Sequence, residues 1–176
     1  FQQGVEAGIM TEDLLQYQTD AQVWTAFQEG QANIVVTWLS NYLKEEPVDA
    51  VLAPLIPVDT TSVSLGSGMS WALTTPDINR HPISVALAEF LVEPEFLVEW
   101  QAALGYLPPR PTALDNWPDK DLQPSLNQIA LMTRLRPSND IISSLGPIIR
   151  DQTRQVLQDL VDPSQAAQVA VESLEE

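Results

Sequence analysis

The sequence predicts a mixed α/β fold that becomes rich in helix towards its C-terminus. Three observations lead there. Two continuous apolar runs, over 34–38 and 48–56, have the length and composition of buried strands. Several later stretches repeat apolar residues at steps of three and four, the spacing of one helix face. Prolines and glycines stand where those patterns stop, most densely over 107–124.

In chain order, the first helical signal is Thr11, a capping residue followed by Glu12 and Asp13, whose charges suit the positive end of a helix dipole. A second start lies at Asp20, from which Val23, Trp24 and Phe27 make an apolar stripe that Gly30 ends. "NIVVTWL" reads as a short strand over 34–38. "VDAVLAPLIP" reads as another over 48–56, closed by Pro54 and Pro57. In "VSLGSGMSWALTT" the glycines predict a loop over 66–68 that feeds an extended segment over 69–74.

Pro82 takes a first helical position, with Val85, Ala86, Phe90 and Leu91 on one side of the helix it starts. Glu93-Pro94 restarts a helix in the same way. Its buried stripe is Leu97, Trp100, Ala103 and Leu104, and Gly105 is its stop. Residues 107–124 read as a linker or wrapping loop. "LNQIALMTRL" is a short helix. Ile141, Leu145, Ile148, Ile149, Val156 and Leu160 outline a longer one, with Pro147 in its first turn or at a kink. Asp162-Pro163 caps the last helix.

With 176 residues, 44% of them hydrophobic, the chain suits one domain or two small lobes with a core of useful size. Its net charge of -16, from 24 acidic against 8 basic residues, repels phosphate backbones and anionic membranes. Nucleic-acid binding is therefore not expected. The absence of cysteine excludes disulfides, thiol catalysis and cysteine-ligated metals, and suits folding outside a reducing cytosol. No apolar run approaches the ~20 residues that span a bilayer. Phe1-Gln2-Gln3-Gly4 is not an initiator region, so a processed chain or a part of a longer one is expected.

Catalytic arrangements are scarce. His81 is the one histidine and stands before Pro82, where a cap or turn role suffices. No G-x-S-x-G elbow and no phosphate loop occurs, and Gly66-Ser67-Gly68 is too short for a dinucleotide fingerprint. Carboxylates are abundant enough for a glycosidase-like pair. Those such as Glu12, Asp13, Glu29, Glu45, Glu46, Glu175 and Glu176 fit solvated helix ends and polar faces. What remains is aromatic punctuation where elements end. Trp38 closes a predicted strand, Trp71 follows the glycine loop, and Tyr106 follows Gly105. Aromatic faces at element ends serve ligand binding, whereas at helical spacing Trp24, Trp71 and Trp100 serve a core equally well.

Taken in order, "VWTAFQEGQANIVVTW", "APLIP", "GSGMSWALTT" and "HPISVALAEFLVEPEFLVEWQAALGYLPPRP" resemble the C-terminal half of the family 1 extracellular solute-binding proteins. These are the ligand receptors of ABC importers, of the maltose- and glycerol-phosphate-binding type. The matching positions begin with Phe27, Gly30, Ala32 and Trp38, then Gly66, Gly68, Trp71, Ala72 and Leu73. Ala88 with Glu89-Phe90-Leu91, the turn Glu93-Pro94-Glu95, the closing Gly105 to Pro108, and Asp162 to Ala166 continue the series. Over 138–145 the chain has neither the tryptophan nor the arginine that family members often present to the ligand.

The resemblance implies a periplasmic-binding-protein-like type II α/β fold, C-terminal part. Residues 1–74 and 119–176 would belong to the C-terminal lobe, and 75–118 would pack on the other lobe. It implies no catalysis, no metal and no cofactor. The ligand is a small solute: a sugar, oligosaccharide or related polyol. The protein partners are ABC permease subunits, and the location is extracytoplasmic, in the periplasm or lipid-anchored at the cell surface. Trp38 would stack on the ligand, with Trp71 beside it. Gly66, Ser67 and Gly68 would approach its polar groups, Tyr106 would stack or hydrogen-bond, and Arg110 would meet an anion or form a salt bridge. Apolar surface meant for the other lobe would drive an isolated piece to dimerise. A helical protein-interaction module without a small ligand is the other expectation the residues allow.

Overall fold

The computed structural model describes residues 2–55 and 62–173. Nine α-helices and two short strands follow one another within these residues, and their contacts divide the chain into two units. The fold is helix-rich α/β, with a two-stranded parallel sheet.

The first unit comprises Phe1–Val35 and Pro137–Glu176. It holds α1 (Gln2–Glu6), a 3-10 turn (Glu12–Gln16), α2 (Asp20–Gln28), α8 (Asn139–Leu157) and α9 (Pro163–Glu172). Helix α2 begins at Asp20, but its cap is Thr19. The Thr19 hydroxyl accepts from the Gln22 amide at 3.3 Å, and Gln22 Oε1 accepts from the Thr19 amide at 3.2 Å. Thr11 precedes the 3-10 turn without a side-chain cap bond. Trp24 and Ala26 are buried, and Trp24 stacks on Phe27 with ring centroids 5.5 Å apart. Asp162 caps α9 by accepting from the Ser164 amide at 2.8 Å, with Pro163 at the first helical position. Pro147 lies within α8, beyond its first turn.

The second unit is Val36–Arg136. It contains α3 (Leu39–Glu45), β1 (Ser64–Gly66), α4 (His81–Phe90), α5 (Pro94–Leu104), α6 (Pro111–Leu114), α7 (Gln123–Met132) and β2 (Thr133–Leu135). Its core is built from Leu43 of α3, Leu97 and Val98 of α5, Ala113 and Leu114 of α6, Trp117 from the connection after α6, and Leu126 of α7.

Several sequence expectations change here. Residues 34–38 form no strand, and among the described residues no strand pairs with them. Trp38 instead caps α3, a helix that the β-branched run before it obscures. Over 48–55 no strand forms either. Leu55 makes one isolated antiparallel bridge to Val63, and Ile56 and Pro57 lie outside the described residues.

Gly66 belongs to a strand rather than a loop. β1 pairs in parallel with β2 in the register Ser64↔Thr133, Leu65↔Arg134 and Gly66↔Leu135. A Cβ at Gly66 would lie 2.5 Å from Thr133 Cγ2, so glycine permits this approach. The helix expected over 126–135 therefore stops at Met132, and its last three residues become β2.

The largest change is the expected linker. Within 107–124 the chain forms α6 and buries Trp117 to 4% exposure. Pro111 opens α6 at its first position, and Gln123 Nε2 donates to the Leu114 carbonyl at 2.8 Å, tying α7 back to it. On α5 the buried pair is Leu97 and Val98, while Trp100 is half-buried and Ala103 and Leu104 are exposed.

Candidate functional site

Two of the predicted aromatic residues stand at the C-terminal half of α5, Trp71 through its stack on Trp100 and Tyr106 through the turn that ends the helix. Gly105 ends the helix with φ 70°, the left-handed conformation that glycine adopts without strain. The Gly105 amide donates to the Ala102 carbonyl, and the Tyr106 amide donates to the Gln101 carbonyl at 2.9 Å. That closure turns the chain sharply and leaves Tyr106 outside the core. Pro108 is buried in the return path, and Arg110 stands exposed at the start of α6.

Helix α3 lies against this turn. A Cβ on Gly105 would meet the Ser40 carbonyl oxygen at 3.2 Å and Lys44 Cγ at 2.7 Å. Trp38, two residues before Ser40, is fixed at the helix start. Its carbonyl accepts from the Asn41 amide at 3.0 Å, and Asn41 Nδ2 donates to Thr37 Oγ1 at 2.8 Å. The Lys44 ammonium sits 5.5 Å from the centroid of the Tyr106 ring, a cation–π contact.

Trp71 reaches α5 from an irregular segment and stacks on Trp100, with centroids 6.1 Å apart and planes 22° from parallel. Trp100 continues to Phe96 at 6.0 Å and Phe96 to Phe90 of α4 at 5.2 Å. Four rings thus form one row. Trp38, Trp71 and Tyr106 keep 49%, 55% and 41% of their surfaces exposed, so each offers an accessible ring.

Not every predicted residue joins them. Gly66 lies in the sheet, and its carbonyl accepts from the Arg136 amide at 2.9 Å. Ser67 and Gly68 are exposed, and a Cβ on Gly68 would meet nothing within 4 Å. His81 opens α4 half-buried, with Nε2 3.0 Å from the Thr75 carbonyl, which tethers the segment behind Trp71. Lys44, Phe96 and Trp100 were not singled out from sequence as contacts of this site. The i, i+4 spacing of Phe96 and Trp100 was the available signal, and Lys44 had none.

Among the described residues no group of three His, Cys, Asp or Glu side chains could hold a metal, and no helix is long and apolar enough to cross a membrane. A groove of about 210 Å³ in the first unit runs between α8 and α9, with Ile149, Val156, Pro163 and Ala166 among its lining. None of the predicted binding residues touches it. No family model, no curated protein and no solved structure matches the chain.

Proposed function

We propose that this chain is the C-terminal part of the solute-binding component of an ABC importer. It takes a sugar, oligosaccharide or related polyol and delivers it to permease subunits outside the cytoplasm. The observation that carries the reading is that Trp71 stacks on Trp100 of α5 and Tyr106 follows its last turn, while Trp38 heads α3, whose Ser40 and Lys44 lie against that turn. Trp38, Trp71 and Tyr106 come from three separate stretches and each keeps an exposed ring. Sugars present apolar C–H faces that stack on aromatic rings, and their hydroxyls meet polar groups at the rim. Trp38, Trp71 and Tyr106 supply the rings in this reading. The Arg110 guanidinium supplies a polar contact. Binding and release need no bond-making, and neither a metal nor a cofactor enters.

The composition of α4 supports the further proposal that 75–118 packs on a second lobe. His81, Ser84 and Ala88 form its half-buried side, while Ile83 and Leu87 point to solvent at i, i+4 spacing and Phe90, further along, is half exposed beside Phe96. A helix with its large apolar residues outward lacks a partner surface. The same stripe favours the second reading, a helical protein-interaction module. The two separate cleanly. Replacing Trp38 or Tyr106 by alanine should weaken solute binding about tenfold with the fold intact, the scale of one lost aromatic contact. Calorimetric titration alongside far-UV circular dichroism reads both. Unchanged affinity in both variants would remove the site assignment.

A further inference from the structure

We infer that the solute held at this surface carries an anionic group, a carboxylate or a phosphate, and that Lys44 receives it. The inference rests on the solute-binding reading and adds the ligand class. Its basis is how tightly α3 and the α5 turn hold Lys44. A Cβ at Gly105 would lie 2.7 Å from Lys44 Cγ and 3.4 Å from its Cε, so the aliphatic stem runs along the glycine. The stem's path sets the ammonium over Tyr106, 5.5 Å from the ring centroid.

Two consequences follow for a ligand. One face of Tyr106 is occupied, so a neutral sugar ring stacking there must displace Lys44. The lysine is exposed, and its ammonium brings three donors and a full positive charge to the edge of the ring. This placement is unusual for the chain, which has 8 basic residues against 24 acidic ones. A second cation, Arg110, follows Tyr106 by four residues and is exposed at the start of α6. From Leu97 to Leu114 the one acidic residue is Glu99. Glu45 follows Lys44 in α3, about 100° further around the helix, and Glu46 leaves the helix in the left-handed conformation at φ 41°. Lys44 then supplies, at the edge of the Tyr106 ring, the charge that sorts one solute from another.

The test titrates the full chain calorimetrically with D-glucose and maltose as neutral probes, and with D-glucuronate and D-glucose 6-phosphate as anionic ones. At low salt one anion should bind about tenfold more tightly than its neutral counterpart, the effect of one charge-assisted hydrogen bond. Which anion wins distinguishes carboxylate from phosphate, and high salt should narrow the difference. Lys44→Met keeps the stem that packs on Gly105, so its circular dichroism should match the parent while the anion preference disappears. Lys44→Arg should retain the preference. Equal binding of neutral and anionic probes, or a preference that survives Lys44→Met, overturns the inference and leaves the solute-binding reading standing. No binding of any probe to folded protein overturns both.

Discussion

Gly105 takes φ 70° at the end of α5, and a Cβ there would come within 2.7 Å of Lys44 Cγ and 3.2 Å of the Ser40 carbonyl. Both the backbone and the neighbouring helix therefore require glycine. Gly105→Ala should destabilise the protein by about 1–3 kcal/mol, as strained left-handed residues do, and lower its urea midpoint. An unchanged midpoint would show that α3 gives way without cost. Gly105 was legible in the sequence because a glycine after an apolar stripe has one ordinary meaning at a helix end. Trp117 was not. It stands among prolines and aspartates that read as loop, and only the packing of α6 against α5 and α7 makes it core. Trp71 shows the reverse. Its spacing allowed a core role, yet it is more than half exposed while stacking on the half-buried Trp100.

Elements whose signals are local came through, and elements that depend on distant partners did not. The starts of α5 and α9 are written in Glu93-Pro94 and Asp162-Pro163, because a proline at the first turn and an acidic cap act within a few residues. The sheet joins Ser64 to Thr133, a pairing that no local pattern announces. The apolar runs at 34–38 and 48–55 carried strand composition without a ladder to join, so they stayed irregular. Helix α4, signalled by Pro82, starts one residue earlier at His81, and its Ile83 and Leu87 face solvent. Leu87→Gln on that stripe should change stability by less than about 0.5 kcal/mol, since it removes no buried contact. It should also reduce self-association at high concentration, measured by light scattering. Persistent association in the variant would place the contact elsewhere.

At the scale of the whole chain, the net charge of -16 has the sign that repels phosphate backbones, while saying little about what a recessed surface would bind. The site was legible only as single residues. Trp38, Trp71, Tyr106 and Arg110 could be named from where they stand in sequence. That Trp71 and Tyr106 meet α5, and that α3 packs on its last turn, depends on contacts between distant stretches of the chain. Lys44 gains a role from that geometry alone. Solute binding at these aromatic residues is open to direct measurement. Tryptophan fluorescence of the folded chain, titrated with neutral and acidic mono- and disaccharides, should show a saturable change with at least one of them. That change should weaken about tenfold in Tyr106→Ala, the scale of one lost ring contact. No change with any solute, in protein whose circular dichroism shows it folded, would contradict the account and leave the interaction module as the better reading.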